Sequence, residues 1–128
     1  MNLPAQRNAL RVLFIDDSTA TRQLCAERLS KEPGLNILGI VPDPATALRR
    51  IHSEHPDVVI IDIEMPRCGG VSIVQQIMRD RPTPIVIFSA LSGRSADLGV
   101  SAMAAGAIAS VKKPQTTLMS SLHSAGLS

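Results

Sequence analysis

The sequence predicts an α/β protein, (βα)5, folded as a doubly wound parallel sheet. Three observations predict it. First, five short runs rich in Val and Ile recur at Arg11–Asp16, Asn36–Val41, Asp57–Ile63, Pro84–Ala90 and Ile108–Lys112. Second, these runs are close to continuously apolar rather than alternating, the pattern of strands buried on both faces of a parallel sheet. Third, their starts fall roughly 20 to 27 residues apart, enough for one strand and one crossover helix each. The stretches between them carry helix signals.

Each element follows from its residues. The first strand, RVLFID, precedes Ser18, which caps a helix running to about Glu32 with Ala20, Leu24 and Leu29 inward. The second, NILGIV, leads into Asp43-Pro44. That dipeptide is an N-cap followed by proline at the first helical position, where the missing N–H costs nothing. Ala45, Leu48 and Ile51 are expected to form that helix's apolar stripe. The third strand, DVVIIDI, precedes a stripe of Val71, Val74, Ile77 and Met78. The fourth, PIVIFSA, precedes a small-residue helix, Ala96–Ala105, with weak face periodicity and Gly106 at its end. The fifth, IASVK, leads to a last helix capped by Thr116 or Thr117, with Leu118, Leu122 and Ala125 inward. With no repeat, linker or low-complexity tract, residues 1–128 read as a single domain with its core at about 10–126.

Composition excludes several classes. The 128 residues are 45% hydrophobic and 19% charged, so the chain is not disordered. A domain of this size buries about two-thirds of its unfolded surface without staples. The apolar run Val58–Ile61, as long as any of the Val/Ile-rich runs, is far short of the roughly 20 residues of a membrane span. Met1–Ala9 has no apolar core of a signal peptide, and a cytoplasmic protein is expected. Thirteen basic and eleven acidic residues, with two Phe and no Tyr or Trp, offer no basic run or stacking platform for nucleic acid. Cys25 and Cys68 form no CxxC and read as reduced thiols. His52 and His55, at a polar helix end, read as solvated.

The chemistry lies at the strand ends. In an open α/β sheet, ligands bind at the carboxyl edge of the strands. Strand one ends in Asp16-Asp17, strand three in Asp62, strand four in Ser89-Ala90, and strand five near Lys113-Pro114. Singly, each has a bland alternative: an N-cap, a strand end meeting solvent, a satisfied hydroxyl, a solvated lysine. Jointly they converge on one edge. Carboxylates about 4 Å apart repel by roughly 4 kcal/mol per pair at an effective dielectric of 20, so the cluster calls for a proton or a cation. Mg²⁺ suits oxygen ligands that bridge to phosphate. No GxxxxGK[ST] or GxGxxG loop is present, so bound nucleotide is not expected. Asp62 is left as a nucleophile toward a phosphoryl donor.

The chain resembles the receiver domain of two-component response regulators over nearly its whole length. The matching segments are FIDDS (Phe14–Ser18), PDVVIIDIEMP (Pro56–Pro66), PIVIFSA (Pro84–Ala90), Gly106-Ala107 and Lys112–Pro114. Within that family IDIEMPR (Ile61–Arg67) and Lys113–Gln115 resemble the receivers of chemotaxis protein-glutamate methylesterases. The resemblance implies a flavodoxin-like sheet of order 2-1-3-4-5. It implies Asp62 as phosphoacceptor, with Mg²⁺ held by Asp16, Asp17, Asp62 and the Glu64 carbonyl. Lys113 would pair with a phosphoryl oxygen, Ser89 would bond the phosphoryl group, and the N–H groups of Glu64 and Ala90 would complete the cradle. Lys113-Pro114 is expected to be cis.

The implied partners are a sensor histidine kinase and an output domain or downstream protein, with no direct nucleic-acid or membrane binding and a monomeric or weakly dimeric state. The chain is expected to be a signalling phosphoacceptor rather than an enzyme, without the methylesterase catalytic domain. Two departures stand out. Ser110 occupies the position where the family usually has Phe or Tyr. Cys68-Gly69-Gly70 replaces a loop that more often contains Asp-Gly, which predicts a looser loop.

Rival readings remain at this stage. A pseudo-receiver, a phosphorylation-independent interaction module, is disfavoured by the intact acids and lysine, although Ser110 leaves it room. An α/β hydrolase or phosphatase would place a DxD on strand one or carry a GxSxG elbow. A flavin-binding fold would want aromatic or Ser/Thr-rich loops, which are lacking.

Overall fold

The structure, a computed structural model, describes residues 9–16, 27, 31–65, 69–89 and 94–112. The expected first helix from Ser18, the last helix, Asp17, Ala90, the Lys113-Pro114 bond and both cysteines lie outside the described residues. Five strands make one parallel sheet: β1 (Leu10–Ile15), β2 (Leu35–Val41), β3 (Val58–Asp62), β4 (Ile85–Ser89) and β5 (Ala109–Lys112). Their order is β2-β1-β3-β4-β5, as the resemblance implied. Three helices are described: α1 (Pro44–Glu54), α2 (Gly70–Asp80) and α3 (Arg94–Ala105). None of the described helices is long and apolar enough to cross a membrane.

The expected strands are recovered to within a residue at most ends. Asp57 and Ile108, expected inside strands, lie just before them, and Ile63 lies just after β3. Their N–H groups still bond across the sheet, to Arg11, Ile85 and Phe88 respectively, at 2.8, 2.8 and 2.9 Å.

Both faces of the sheet are dry, which is why the strands read as continuous apolar runs. On one face Leu13, Ile15, Val59, Ile61, Ile85 and Ile87 pack with Ala47 and Ile51 of α1, Ile73, Val74 and Ile77 of α2, and Ala102 of α3. On the other, Val12, Phe14, Val58, Ile60, Val86 and Phe88 form a second buried cluster. Phe14 and Phe88 meet edge to face there, with ring centres 5.4 Å apart. Each fully buried Leu, Ile or Phe contributes roughly 1.5–3 kcal/mol relative to exposure.

Helix α1 starts where the sequence marks it. The Asp43 carboxylate accepts from the Thr46 N–H at 2.8 Å, and Pro44 follows. The helix ends at His55, whose left-handed backbone (φ 49°) closes the last turn. Ala45 does not lie on the inner stripe; it is exposed, and Ala47 is buried instead. At about 100° per residue, Ala45 lies about 160° around the axis from Ala47. Leu48 and Ile51 face inward as expected. In α2, Val74 and Ile77 are buried, Val71 and Met78 flank them, and Ile73 is an additional core residue.

Two arginines tie α1 to the sheet. The Arg11 guanidinium donates to the carbonyls of His55 and Glu54 at 2.7 and 2.6 Å, satisfying the helix's C-terminal acceptors. Arg50 meets a bulge in β2. The β1–β2 register steps from Val12↔Ile37 to Leu13↔Gly39, so Leu38 is the extra residue. The Leu38 carbonyl accepts from Arg50, whose guanidinium is held by an i,i+4 ion pair with Glu54. Gly39 makes room for it: a Cβ there would collide with the Arg50 guanidinium.

Gly39→Ala and Arg50→Ala are therefore expected to cost about 1 kcal/mol each. The double variant should cost no more than Arg50→Ala alone, since both single variants remove the bond from Arg50 to the Leu38 carbonyl; urea unfolding measures this. The Asp43 carboxyl is held below its ordinary value by the Thr46 N–H, and Glu54 by the Arg50 guanidinium. A lowered carboxyl stabilises above its unfolded value and loses that contribution as pH falls. The wild-type thermal midpoint should thus drop as pH falls through 4.5 and 3.8, the ordinary Glu and Asp values. Asp43→Asn/Glu54→Gln should flatten that drop.

Candidate functional site

The site is built by register. β1 and β3 pair as Val12↔Val58 through Ile15↔Ile61. The next residues on the two chains are Asp16 and Asp62, so the carboxylates emerge side by side on neighbouring strands, spaced about 4.8 Å. β3 pairs with β4 as Asp62↔Phe88, and β4 with β5 as Ser89↔Lys112. Asp16, Asp62 and Ser89 thus stand at the carboxyl edge of the three central strands. These strands are central because the order 2-1-3-4-5 reverses direction between β1 and β3, the switch point where such sheets bind ligands.

All three groups are buried: Asp16 and Ser89 are 0% exposed and Asp62 is 4% exposed. Each is positioned by backbone. The Asp16 N–H donates to the Val41 carbonyl at 3.0 Å, tying the end of β1 to β2. The Ile63 N–H donates to the Phe88 carbonyl at 2.9 Å, extending the β3–β4 pairing one residue past Asp62. The Glu64 N–H donates to Asp62 Oδ1 at 3.0 Å. That bond fixes the rotation of the carboxylate and so the aim of its other oxygen. Ile63 and Met65 point into the core on either side of half-buried Glu64, pinning the loop.

Two unit charges about 5 Å apart repel by about 3 kcal/mol at an effective dielectric of 20. Two buried carboxylates at this spacing are the donor set of a hard divalent ion, which takes oxygen ligands and keeps several waters. Among the described residues no group of three His, Cys, Asp or Glu side chains gathers at metal-ligand distance. Asp17, the third expected side-chain ligand, lies outside them, as do Lys113 and Ala90. The structure therefore brings together Asp16, Asp62, Glu64 and Ser89 of the expected set. The Glu64 N–H, expected in the phosphoryl cradle, is bonded to Asp62 here. Ile63 was not legible as a site residue. Its contribution is a backbone N–H, and the only trace of it in the sequence is the apolar run continuing past Asp62.

The fold is a doubly wound parallel sheet with two buried acids and a buried hydroxyl at its switch point, the edge where such sheets bind ligands. The model of the response regulator receiver domain matches residues 12–123, and the chain belongs to that family. It is similar to a protein-glutamate methylesterase/protein-glutamine glutaminase of Chromobacterium violaceum, 42% identical over 106 residues, or 83% of this chain and 30% of that protein. A second such protein, from Dechloromonas aromatica, is 40% identical over 116 residues, 91% of this chain and 32% of its own length. The chain thus spans about a third of the length of these curated relatives. Among solved structures, the response regulator domain of Thermotoga maritima CheB superposes with a TM-score of 0.72 at 29% identity, covering 86% of this chain and 82% of that one. These likenesses agree with the subfamily that Ile61–Arg67 and Lys113–Gln115 pointed to.

Asp62→Asn keeps the oxygen that accepts the Glu64 N–H and removes one of two adjacent charges. Without divalent metal it should be more stable than wild type, by about 1–3 kcal/mol. Added Mg²⁺ should raise the thermal midpoint of wild type and leave that of Asp62→Asn unchanged. Thermal unfolding with and without EDTA measures both.

Proposed function

We propose that this single receiver domain accepts a phosphoryl group on Asp62 from a sensor histidine kinase, in a Mg²⁺-dependent transfer. The modified site then switches its interaction with an output domain or downstream protein in chemotaxis. The observation that carries this reading is the register placing buried Asp16 and Asp62 side by side, with buried Ser89 on the next strand. The likeness to methylesterase receivers supports the chemotaxis setting and an output domain beyond the matched region. A cytoplasmic site of action follows from a kinase partner.

The residues divide the work. Asp16, Asp17, Asp62 and the Glu64 carbonyl would hold Mg²⁺, which when bound neutralises the carboxylates and the phosphoryl oxygens. Asp62 attacks through the oxygen that its bond from Glu64 leaves aimed at the donor. Its new O–P bond forms as the P–N bond of phosphohistidine breaks, and the imidazole leaves with the electron pair and takes up a proton. Lys113, placed by the family motif, balances charge on the transferring group as a point charge. Ser89 donates its hydroxyl to a phosphoryl oxygen. Ala90 is small and admits the donor, and its N–H is the remaining donor of the cradle, while the Glu64 N–H stays on the Asp62 carboxylate. The added negative charge and its three phosphoryl oxygens then bias the loop after β4 and the face formed by α3 and β5.

Intact mass after incubation with acetyl phosphate tests this. A single phosphoryl adduct is expected with Mg²⁺, none with EDTA, and none in Asp62→Asn under either condition. An adduct that survives Asp62→Asn would overturn the assignment.

A further inference from the structure

Gly70 is the first residue of α2 and is buried. A Cβ at this position would lie 2.9 Å from Ile63 Cα, 2.9 Å from Ile63 Cδ1 and 3.1 Å from the Ile63 carbonyl oxygen. Side-chain ends swing aside, but Cα and carbonyl atoms do not. Only glycine therefore lets the first turn of α2 rest on the Ile63 backbone. The residue before it, Gly69, takes a left-handed conformation (φ 67°) that turns the chain into the helix.

Ile63 is the link between Asp62 and Glu64. The bond from the Glu64 N–H to Asp62 Oδ1 spans it. On one side its N–H is fixed to the Phe88 carbonyl of β4, and on the other Gly70 lies against its Cα and carbonyl. A methyl group inserted at Gly70 must push the Ile63 backbone. With its N–H tethered, the displacement goes into the peptide toward Glu64, which carries the donor of that bond.

We propose that Gly70 is a positioning residue: by seating α2 on the Ile63 backbone it holds the Asp62–Glu64 turn closed and so aims the Asp62 carboxylate. This rests on Asp62 being the phosphoacceptor. The glycine pair that reads as a loosened loop in the sequence thus has a buried half that clamps the site.

The test compares Gly70→Ala with Gly99→Ala. Gly99 lies within α3, where a Cβ would make ordinary contacts of 3.6 and 3.8 Å with Ser110 Oγ and Ile87 Cδ1. Three quantities are read: the rate of phosphoryl uptake from acetyl phosphate at saturating Mg²⁺, the thermal midpoint, and the NMR shift of the Glu64 amide proton. Gly70→Ala is expected to slow uptake about tenfold and to move the Glu64 amide toward its position in Asp62→Ala. Gly99→Ala should keep the wild-type rate and amide shift.

A second variant guards against misfolding. Gly70→Ala/Ile63→Ala removes the Cδ1 contact while the Cα and carbonyl contacts remain, and it should stay slow. Wild-type uptake and amide shift in Gly70→Ala, or full recovery in the double variant, would overturn the inference and leave Asp62 as phosphoacceptor. Wild type that takes up no phosphoryl group would overturn the phosphoacceptor reading, and with it this one.

Discussion

The pairing of β1 with β3 is the constraint on which the rest of the site depends. Four consecutive residues of each strand are fully buried and in register up to Ile15 and Ile61. Side chains in a pleated strand have a period of two, so a one-residue slip would turn buried residues to the wrong face. Hydrophobic burial on both faces therefore fixes, as a by-product, where the next residue on each strand must emerge. Asp16 and Asp62 are those residues. The proximity of two like charges is thus imposed by apolar packing beneath them, which is far larger in free energy than their mutual repulsion of about 3 kcal/mol.

The polar ties that shape the scaffold lie away from that edge. Arg11 closes the C-terminus of α1 near the opposite ends of the strands, where Asp57 also accepts from the Arg11 N–H at 2.9 Å. Arg50 fastens the bulge of β2, with Glu54 holding its guanidinium. These bonds are half-exposed and hold α1 on the edge of the sheet. At the carboxyl edge the positioning is done by backbone N–H groups of Asp16, Ile63 and Glu64. A bond between two backbone groups does not titrate, so the Asp16 and Ile63 ties keep their strength when the site's charge changes, whereas the Glu64 tie ends on the Asp62 carboxylate and responds to that charge.

This division decides what was legible in the sequence. Strands buried on two faces are apolar throughout, so β1, β3 and β4 could be located from composition of short windows. Their order came from the family resemblance, because nothing in a βα repeat states which way each crossover turns along the sheet. Asp43-Pro44 was legible as a helix start because capping is local chemistry. Ala47 was missed because a helix with few apolar residues offers two plausible stripes, and packing against β1 selects one. The Leu38 bulge is fastened by Arg50, twelve residues on, and only the fold brings them together. Ile63 and Gly70 act through main-chain atoms and through the absence of a side chain, neither of which has a residue signature.

Ser110 shows how one departure from the family pattern is accommodated. On β5 it pairs with Ile87 of β4, and its hydroxyl is buried with no hydrogen-bond partner among the described residues. A Cβ added to Gly99 would lie only 3.6 Å from that hydroxyl, so α3 comes close to the strand at this point. Small residues on both sides, Gly99 and Ala102 on the helix and Ser110 on the strand, permit the approach. A ring at Ser110 would need space that the helix already occupies. An unmet buried hydroxyl costs about 1–3 kcal/mol, and a glycine within a helix about 1 kcal/mol relative to alanine. Both costs fall on the same contact. Val100 and Met103, on the outer side of α3, are exposed and add little burial to offset them. Among the described helices, α3 is the one whose contact with the sheet carries these costs.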